Sequence, residues 1–340
     1  MSASRFLARG PNRRDRAPVI GCRLRPVNGP GSCTAGAGDA WSEPPHLAKQ
    51  TRRHHGLAAG WRTPRGVTIV TAVPSPGAAA AEETFAAFDV VKGDSGGGLI
   101  LLCDHASNAL PKKYGDLGLP VGEFQRHIAY DPGAAAVTRG LAARLGVPAV
   151  LSTFSRLLID PNRGPDDPTL IMRLSDGAIV PGNARVNEAE RALRIARYHA
   201  PYHAAIDQAI EEELKSGTVP ALFSVHSFTP VWRGAPRPWQ AGVLWDQDPR
   251  LAVPLIEALR RDPMLVVGDN EPYAGALKGD TMYRHATERG LAHALIEIRQ
   301  DLIADDAGVA AWVDRLATIL TELNRHGGVH TVRRYGSNAD

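Results

Sequence analysis

Between residues 96 and 330 the chain alternates short apolar runs with longer stretches in which apolar residues recur at helical spacing. The clearest run lies in "GGGLILLCDHASNALP" (96–111), where Leu99 to Cys103 are all apolar and the run stops at Asp104 and His105. A continuous run predicts a strand covered on both faces, whereas a half-exposed strand would alternate. Further strands are predicted at "AVLSTF", "ALFSVHSF", "GVLWD", "MLVVGDN" and "HALIEIRQDL", and the short apolar piece in "RLLIDPNRG" closes in a polar turn. A helix follows Pro132 and Gly133 with Asp131 as its N-cap and runs to Gly146. A longer one spans Asn187 to about Lys215, kinked or divided at Pro201. Three more are predicted at "DPRLAVPLIEALRRD", "TMYRHATERG" and "AGVAAWVDRLATILTELNRH". Strands alternating with helices of this length make an α/β fold, a mostly parallel sheet with helices on both faces. The final "RRYGSNAD" is expected to fray.

Charge divides the chain. Residues 1–66 hold 12 Lys and Arg against 3 Asp and Glu, which leaves 27 bases and 33 acids for the rest. The basic balance therefore belongs to the first segment and says nothing about partners of the folded part. That segment is rich in Arg, Pro and Gly without a sustained apolar period, so residues 1–66 are expected to be a disordered basic tail, with the natural chain starting near Val67. Residues 67–90 are expected as an extended lead-in and 91–330 as a single α/β domain. No aromatic platform accompanies the arginines, so a nucleic-acid partner is not expected. No apolar run reaches the ~18 to 20 residues of a membrane span, so no membrane partner is expected either. Cys22 and Cys33 lie in the tail, leaving Cys103 alone in the domain. That excludes a disulfide framework there and fits a reducing cytoplasm. Without a Cys-x-x-Cys, any zinc site must draw on His and carboxylates.

Polar residues interrupt several apolar runs near their ends. His105 follows "LILLCD", His226 sits inside "SVHSF", "LLID" ends in Asp160 ahead of Asn162 and Arg163, and Glu297 and Arg299 alternate with isoleucines in "ALIEIRQDL". Glu297 and Arg299 share one face of their strand, where a carboxylate is costly unless it is paired or bound to a metal. A structural Glu297–Arg299 ion pair is one reading. The other joins His105, His226 and Glu297 at one edge of a parallel sheet, where ligands collect. Two imidazoles and a carboxylate with an open position for water make a catalytic zinc shell. His199 and His203 in "YHAPYH" have the i, i+4 spacing of helical zinc ligands, but Ala200 stands where the metalloprotease motif has Glu. They are expected to pack or line a pocket, and His127, His285 and His293 are read as structural.

Taken in order, "LLCDHASNALP", "YDPGA", "LIDPNRG", "YHAPYH", "SVHSF", "GDNEPY" and "LIEIRQDL" resemble the N-formylglutamate amidohydrolases over roughly residues 97–320. The resemblance implies a zinc-peptidase-like, three-layer αβα fold with a mixed sheet, similar to zinc carboxypeptidases and aspartoacylase. It implies Zn2+ as cofactor and a small N-acyl amino acid as substrate. Asn162 and Arg163 match an Asn-Arg pair that binds substrate in those relatives. The carboxypeptidase His-x-x-Glu pair is absent, because Asn108 stands three residues after His105. The third metal ligand is therefore assigned to Asp131, with Asp104 as the alternative, beside His105 and His226. Glu297 then matches the general base, Arg299 polarises the carbonyl or clamps a second carboxylate, and Tyr273 in "GDNEPYAG" offers a hydroxyl to the intermediate. An amidase or carboxypeptidase of the same fold, or a carboxylate-binding protein without catalysis, are the alternatives this resemblance leaves.

Overall fold

The computed structural model describes residues 85–340. The expected tail, 1–66, and the first part of the lead-in lie outside the described residues. Seven strands form the central sheet: β1 (Phe88–Val91), β2 (Leu99–Cys103), β3 (Ala149–Ser152), β4 (Ala221–Phe228), β5 (Ala241–Leu244), β6 (Val267–Asp269) and β7 (His293–Arg299). Their order across the sheet is β1-β3-β2-β4-β7-β5-β6. The four central strands β3, β2, β4 and β7 are mutually parallel, while β1 against β3 and β5 against β7 are antiparallel. The domain thus begins before residue 91, because β1 is already part of the sheet.

Each central strand is buried on both faces, as its mostly apolar run requires. Leu99, Leu101 and Cys103 face a layer made by α1 (Ala134–Leu145), α4 (Pro249–Leu259) and α5 (Asp306–Leu323). Ile100 and Leu102 face the opposite layer, dominated by α3 (Ala200–Lys215), which follows the shorter α2 (Glu188–Arg194). Helix α3 turns Tyr202, Ala205, Ile206, Ala209 and Ile210 to the sheet at the expected spacing. The result is the three-layer αβα fold with a mixed, mostly parallel sheet.

Helix starts follow their caps. The side chain of Asn187 accepts from the Glu190 N–H, that of Asp248 from Arg250 and that of Asp305 from Gly308. The long helix expected from Asn187 divides near Pro201, where a π-helical turn (Ile195–His199) separates α2 from α3. Asp131 is a correction. Helix α1 begins at Ala134 with Gly133 as its cap and no side-chain cap bond. Gly133 has a φ of 83°, and a Cβ there would meet the Ile303 carbonyl at 2.4 Å, so only glycine turns the chain here. That turn leaves the Asp131 side chain free for the sheet edge.

The apolar piece in "RLLIDPNRG" lies in a looped segment after β3 that closes in turns, as expected. Two further expectations change. "TMYRHATERG" forms a short irregular helix ending in a second π-helical turn (Tyr283–Thr287). The C-terminal residues do not fray: Arg333 N–H bonds to Gly290 O, Asn338 to the Asp246 carboxylate and Tyr283 OH to Asp340. Among the described residues no helix is long and apolar enough to cross a membrane.

Candidate metal centre and active site

Side-chain alternation in β4 puts Leu222, Ser224 and His226 on one face, and in β7 it puts Leu295 and Glu297 on the same side. His105 and Asp104 follow β2 directly, and Asp131 enters from the turn before α1, its N–H bonded to His105 O at 2.9 Å. All of these side chains are buried. Three ligand atoms converge: His105 Nδ1 and His226 Nδ1 are 3.2 Å apart, and Asp131 Oδ2 lies 2.9 Å from His226 Nδ1 and 3.4 Å from His105 Nδ1. Tetrahedral ligands at ~2.0 Å from one ion stand about 3.3 Å apart, so these separations fit a metal.

The other nitrogens show which lone pairs are free. His105 Nε2 bonds to Asp160 Oδ1 at 2.7 Å and His226 Nε2 to Asp104 Oδ2 at 2.9 Å. A carboxylate only accepts, so each Nε2 carries hydrogen, and an imidazole that is neutral there keeps its lone pair on Nδ1, the nitrogen turned to the trio. Two such lone pairs and a carboxylate oxygen around one point suit a cation, and the positive charge that stands beside them is the Arg156 guanidinium. Burial opposes a charged His226, yet its bonds to Asp104 and Asp131 outweigh burial and push its pKa up to about 10.

Asp104 is not positioned as a ligand. Its oxygens accept from His226 and Ser224 on one side and from Tyr202 OH (2.9 Å) and Thr281 Oγ1 (2.6 Å) on the other. Burial would raise its pKa, but the His226 bond and its other partners hold it well below the usual carboxylate range. It therefore orients His226, as Asp160 orients His105.

These groups open into a cavity of about 310 Å³. Asn162, Arg163, Tyr273, Glu297 and Asp280 line it, with Phe228, Trp232 and Trp245 supplying aromatic wall. Glu297 Oε2 is buried with no hydrogen-bond partner. Burial, reinforced by the charge of Asp131 against the pull of His226 and Arg156, raises its pKa to about 7. Arg156 reaches the same group: Nη2 lies 2.6 Å from His105 Nδ1 and 2.7 Å from His105 Nε2, Nη1 3.3 Å from Asp131 Oδ1, and Nε 3.5 Å from Asp160 Oδ2. Burial disfavours its charge, but Asp160, Asp131 and Glu297 together keep it cationic.

The sequence model of the N-formylglutamate amidohydrolase family matches residues 97–304. The chain belongs to that amidohydrolase family. A gene product of Agrobacterium tumefaciens is 35% identical in a match covering 71% of this chain and 95% of that one, with a TM-score of 0.67. The N-formylglutamate amidohydrolase of Ralstonia eutropha is 22% identical over 71% of this chain and 97% of its own, with a TM-score of 0.51, a likeness of fold. The sequence matches none of the curated proteins.

Within this member of the amidohydrolase family, His105, Asp131, His226, Glu297, Asn162, Arg163 and Tyr273 meet at one cavity. Arg299 does not. It ends β7, and its guanidinium is held by Asp301 at 2.8 and 3.1 Å and by the Arg237 and Trp239 carbonyls. The acid two residues on captures it as the strand turns away, so the alternative of a structural Glu297–Arg299 ion pair does not form either. The guanidinium at the trio is that of Arg156, which no motif marked. Its one signal was a lone arginine inside the apolar "STFSRLLID", a position costly to bury without partners. Tyr273 OH accepts from Arg237 Nη1 at 3.0 Å, on a loop that packs against β5 because a Cβ at Gly242 would meet Glu271 O at 1.8 Å.

Proposed function

We propose that the protein is a zinc-dependent amidohydrolase that removes the acyl group, formyl in the first instance, from an N-acyl amino acid such as N-formylglutamate. One observation carries the reading: a buried carboxylate oxygen of Glu297 without a hydrogen-bond partner beside three converging metal-ligand atoms in one cavity. Zn2+ on His105, His226 and Asp131 would supply Lewis acidity and lower the pKa of water from ~15.7 toward ~7.

Glu297 takes the proton of the attacking water at its free Oε2 and returns it to the departing nitrogen. A base with a pKa near neutrality suits both transfers. Arg156 places fixed positive charge where the carbonyl oxygen becomes an oxyanion, in a site shielded from water. Arg163, on the cavity wall with Asn162, receives the substrate carboxylate in the planar two-point contact that suits a guanidinium. Tyr273 contributes its hydroxyl at the mouth. Cys103, the free and buried cysteine of the domain, fits action in the reducing cytoplasm.

The test is formate or acetate release from N-formylglutamate, N-formylaspartate and N-acetylglutamate, before and after chelation and with zinc restored. Zinc-restorable turnover of an N-formyl substrate supports the reading. Turnover untouched by complete metal removal, or none on any N-acyl amino acid, overturns it.

A further inference from the structure

The "YHAPYH" segment stands outside the chemistry above, yet its two histidines are almost fully buried and joined to a third. His199 Nε2 lies 2.9 Å from the Arg163 carbonyl, and His203 Nε2 lies 3.0 Å from the Pro161 carbonyl. These carbonyls flank Asn162, so two imidazoles grip the loop that carries Asn162 and Arg163 into the cavity. His203 Nδ1 meets His285 Nε2 at 2.8 Å, with the two rings 18° from parallel and their centroids 5.0 Å apart. His285 Nδ1 meets Asp207 Oδ1 at 3.1 Å. Both π-helical turns contribute: His199 closes one and His285 lies within the other, and such turns are frequent at functional sites.

Hydrogen accounting decides the direction of every bond. Carbonyl oxygens only accept, so His199 Nε2 and His203 Nε2 each carry hydrogen. Their mutual separation of 3.2 Å is then a contact between donors aimed at different carbonyls. Burial, with His199, His285 and Arg284 nearby, pushes the pKa of His203 far down, so its ring is neutral and has one N–H only. Its Nδ1 is therefore bare and accepts from His285 Nε2–H. His285 Nδ1 faces Asp207, which only accepts, and its Nε2 faces the bare Nδ1 of His203, so the hydrogen-bond geometry runs from His285 to both neighbours. Asp207 is held below the usual carboxylate range, first by the His285 hydrogen bond, and Arg289, which also pairs with Glu211, supports it.

We propose that His203 and His199 are positioning residues for the substrate-carboxylate anchor, holding the carbonyls on either side of Asn162, and that the Asp207–His285 pair imposes the tautomer in which His203 can do so. The proposal rests on reading Asn162 and Arg163 as that anchor. It also separates His203 from an ordinary buried histidine, because a purely structural residue would not act selectively on substrate affinity.

The experiment compares the full chain carrying His203→Leu, His203→Gln, Asp207→Asn or Arg163→Met, with steady-state kinetics on N-formylglutamate, bound metal and thermal stability measured for each. One lost hydrogen bond corresponds to roughly threefold to tenfold in binding, and His203→Leu is expected to raise KM by that factor with kcat and metal content within about twofold. His203→Gln retains a donor for the Pro161 carbonyl and should recover most of the loss. Asp207 is half exposed, so Asp207→Asn tests the tautomer argument without a buried cavity and should raise KM by about twofold to threefold. Unchanged KM in His203→Leu, equal impairment by Leu and Gln, or parallel loss of kcat and metal overturns the proposal. If Arg163→Met leaves KM unchanged, the anchor reading itself fails. If Arg163→Met raises KM while His203→Leu does not, only the positioning inference fails. Should the wild-type chain hydrolyse no N-acyl amino acid, the dissociation constant for glutamate, measured by calorimetry on the same variants, is read in place of KM with the same expected ordering.

Discussion

His226 on β4 and Glu297 on β7 are direct partners in the parallel register of the two strands. Imidazole and carboxylate therefore leave the same face of the sheet side by side, one toward the metal-ligand trio and the other toward the cavity. On the far side Glu297 pairs with Gly242, whose missing side chain leaves space for the loop bearing Tyr273. The proposed base and one proposed metal ligand are thus fixed to each other by the backbone ladder of two paired strands.

This rigidity separates base from ligand. Glu297→Gln keeps shape but accepts no proton, so turnover should fall by ~10² to 10⁴-fold while bound zinc stays near stoichiometric. The wild-type rate should rise with pH through about 7, where Glu297 ionises, and the residual rate of the variant should lack that limb. Near-normal turnover in a zinc-replete Glu297→Gln enzyme would sink the chemistry.

Metal analysis of two aspartate variants tests the ligand assignment. Asp131→Ala should lose most bound zinc, as should His105→Ala and His226→Ala. Asp104→Asn removes only the carboxylate that orients His226, and partners of this kind typically account for ~10 to 100-fold in metal affinity. Stoichiometric zinc in Asp131→Ala with loss in Asp104→Asn would reverse the two roles.

Arg156 stands at the trio where Arg299 was expected, and the proposed mechanism gives Arg156 the oxyanion part. Arg156→Gln should lower kcat by ~10² to 10³-fold, the range for a lost oxyanion partner, with a smaller change in KM. Arg299→Gln should leave both within about threefold, since its guanidinium is taken up by Asp301 at a partly exposed site. A larger effect of Arg299→Gln than of Arg156→Gln, read from initial rates, would restore Arg299 to the reaction.

Asp280 predicts a pH effect on stability. Burial, with Asp104 adding to it against the Tyr283 N–H bond, raises its pKa to about 7 from the ordinary carboxylate value. Between about pH 4 and 7 the folded chain then binds more protons at this group than the unfolded one, so the contribution falls as pH rises. Asp280→Asn keeps an acceptor for the Tyr283 N–H and removes the titration. It should be more stable than wild type at pH 8 by on the order of 1–2 kcal/mol and no more stable at pH 4, by denaturant unfolding at both pH values. Equal differences at the two pH values would refute the assignment.

The apolar runs marked six of the seven strands of the central sheet, all but the alternating edge strand β1, because a strand buried on both faces needs a mostly apolar run and any polar residue within it stands out. His105, His226 and Glu297 were legible for that reason, and the parallel order of β2, β4 and β7 brings their ends to one edge. Asn162 and Arg163 stood out in the same way, as polar residues closing an apolar piece. Only the tertiary structure decided which carboxylate joins the imidazoles. Asp104 and Asp131 both lie beside them, and the difference is that Asp104 spends its oxygens on four donors while Gly133 turns Asp131 inward. It likewise chose Arg156 over Arg299, since a long guanidinium goes to whichever acid comes within reach, and Asp301 lay nearer to Arg299 than the cavity did. The linkage of His199, His203 and His285 was equally out of reach of the sequence. It joins a helix, a distant turn and a loop, and its proton positions follow from distances that no spacing along the chain encodes.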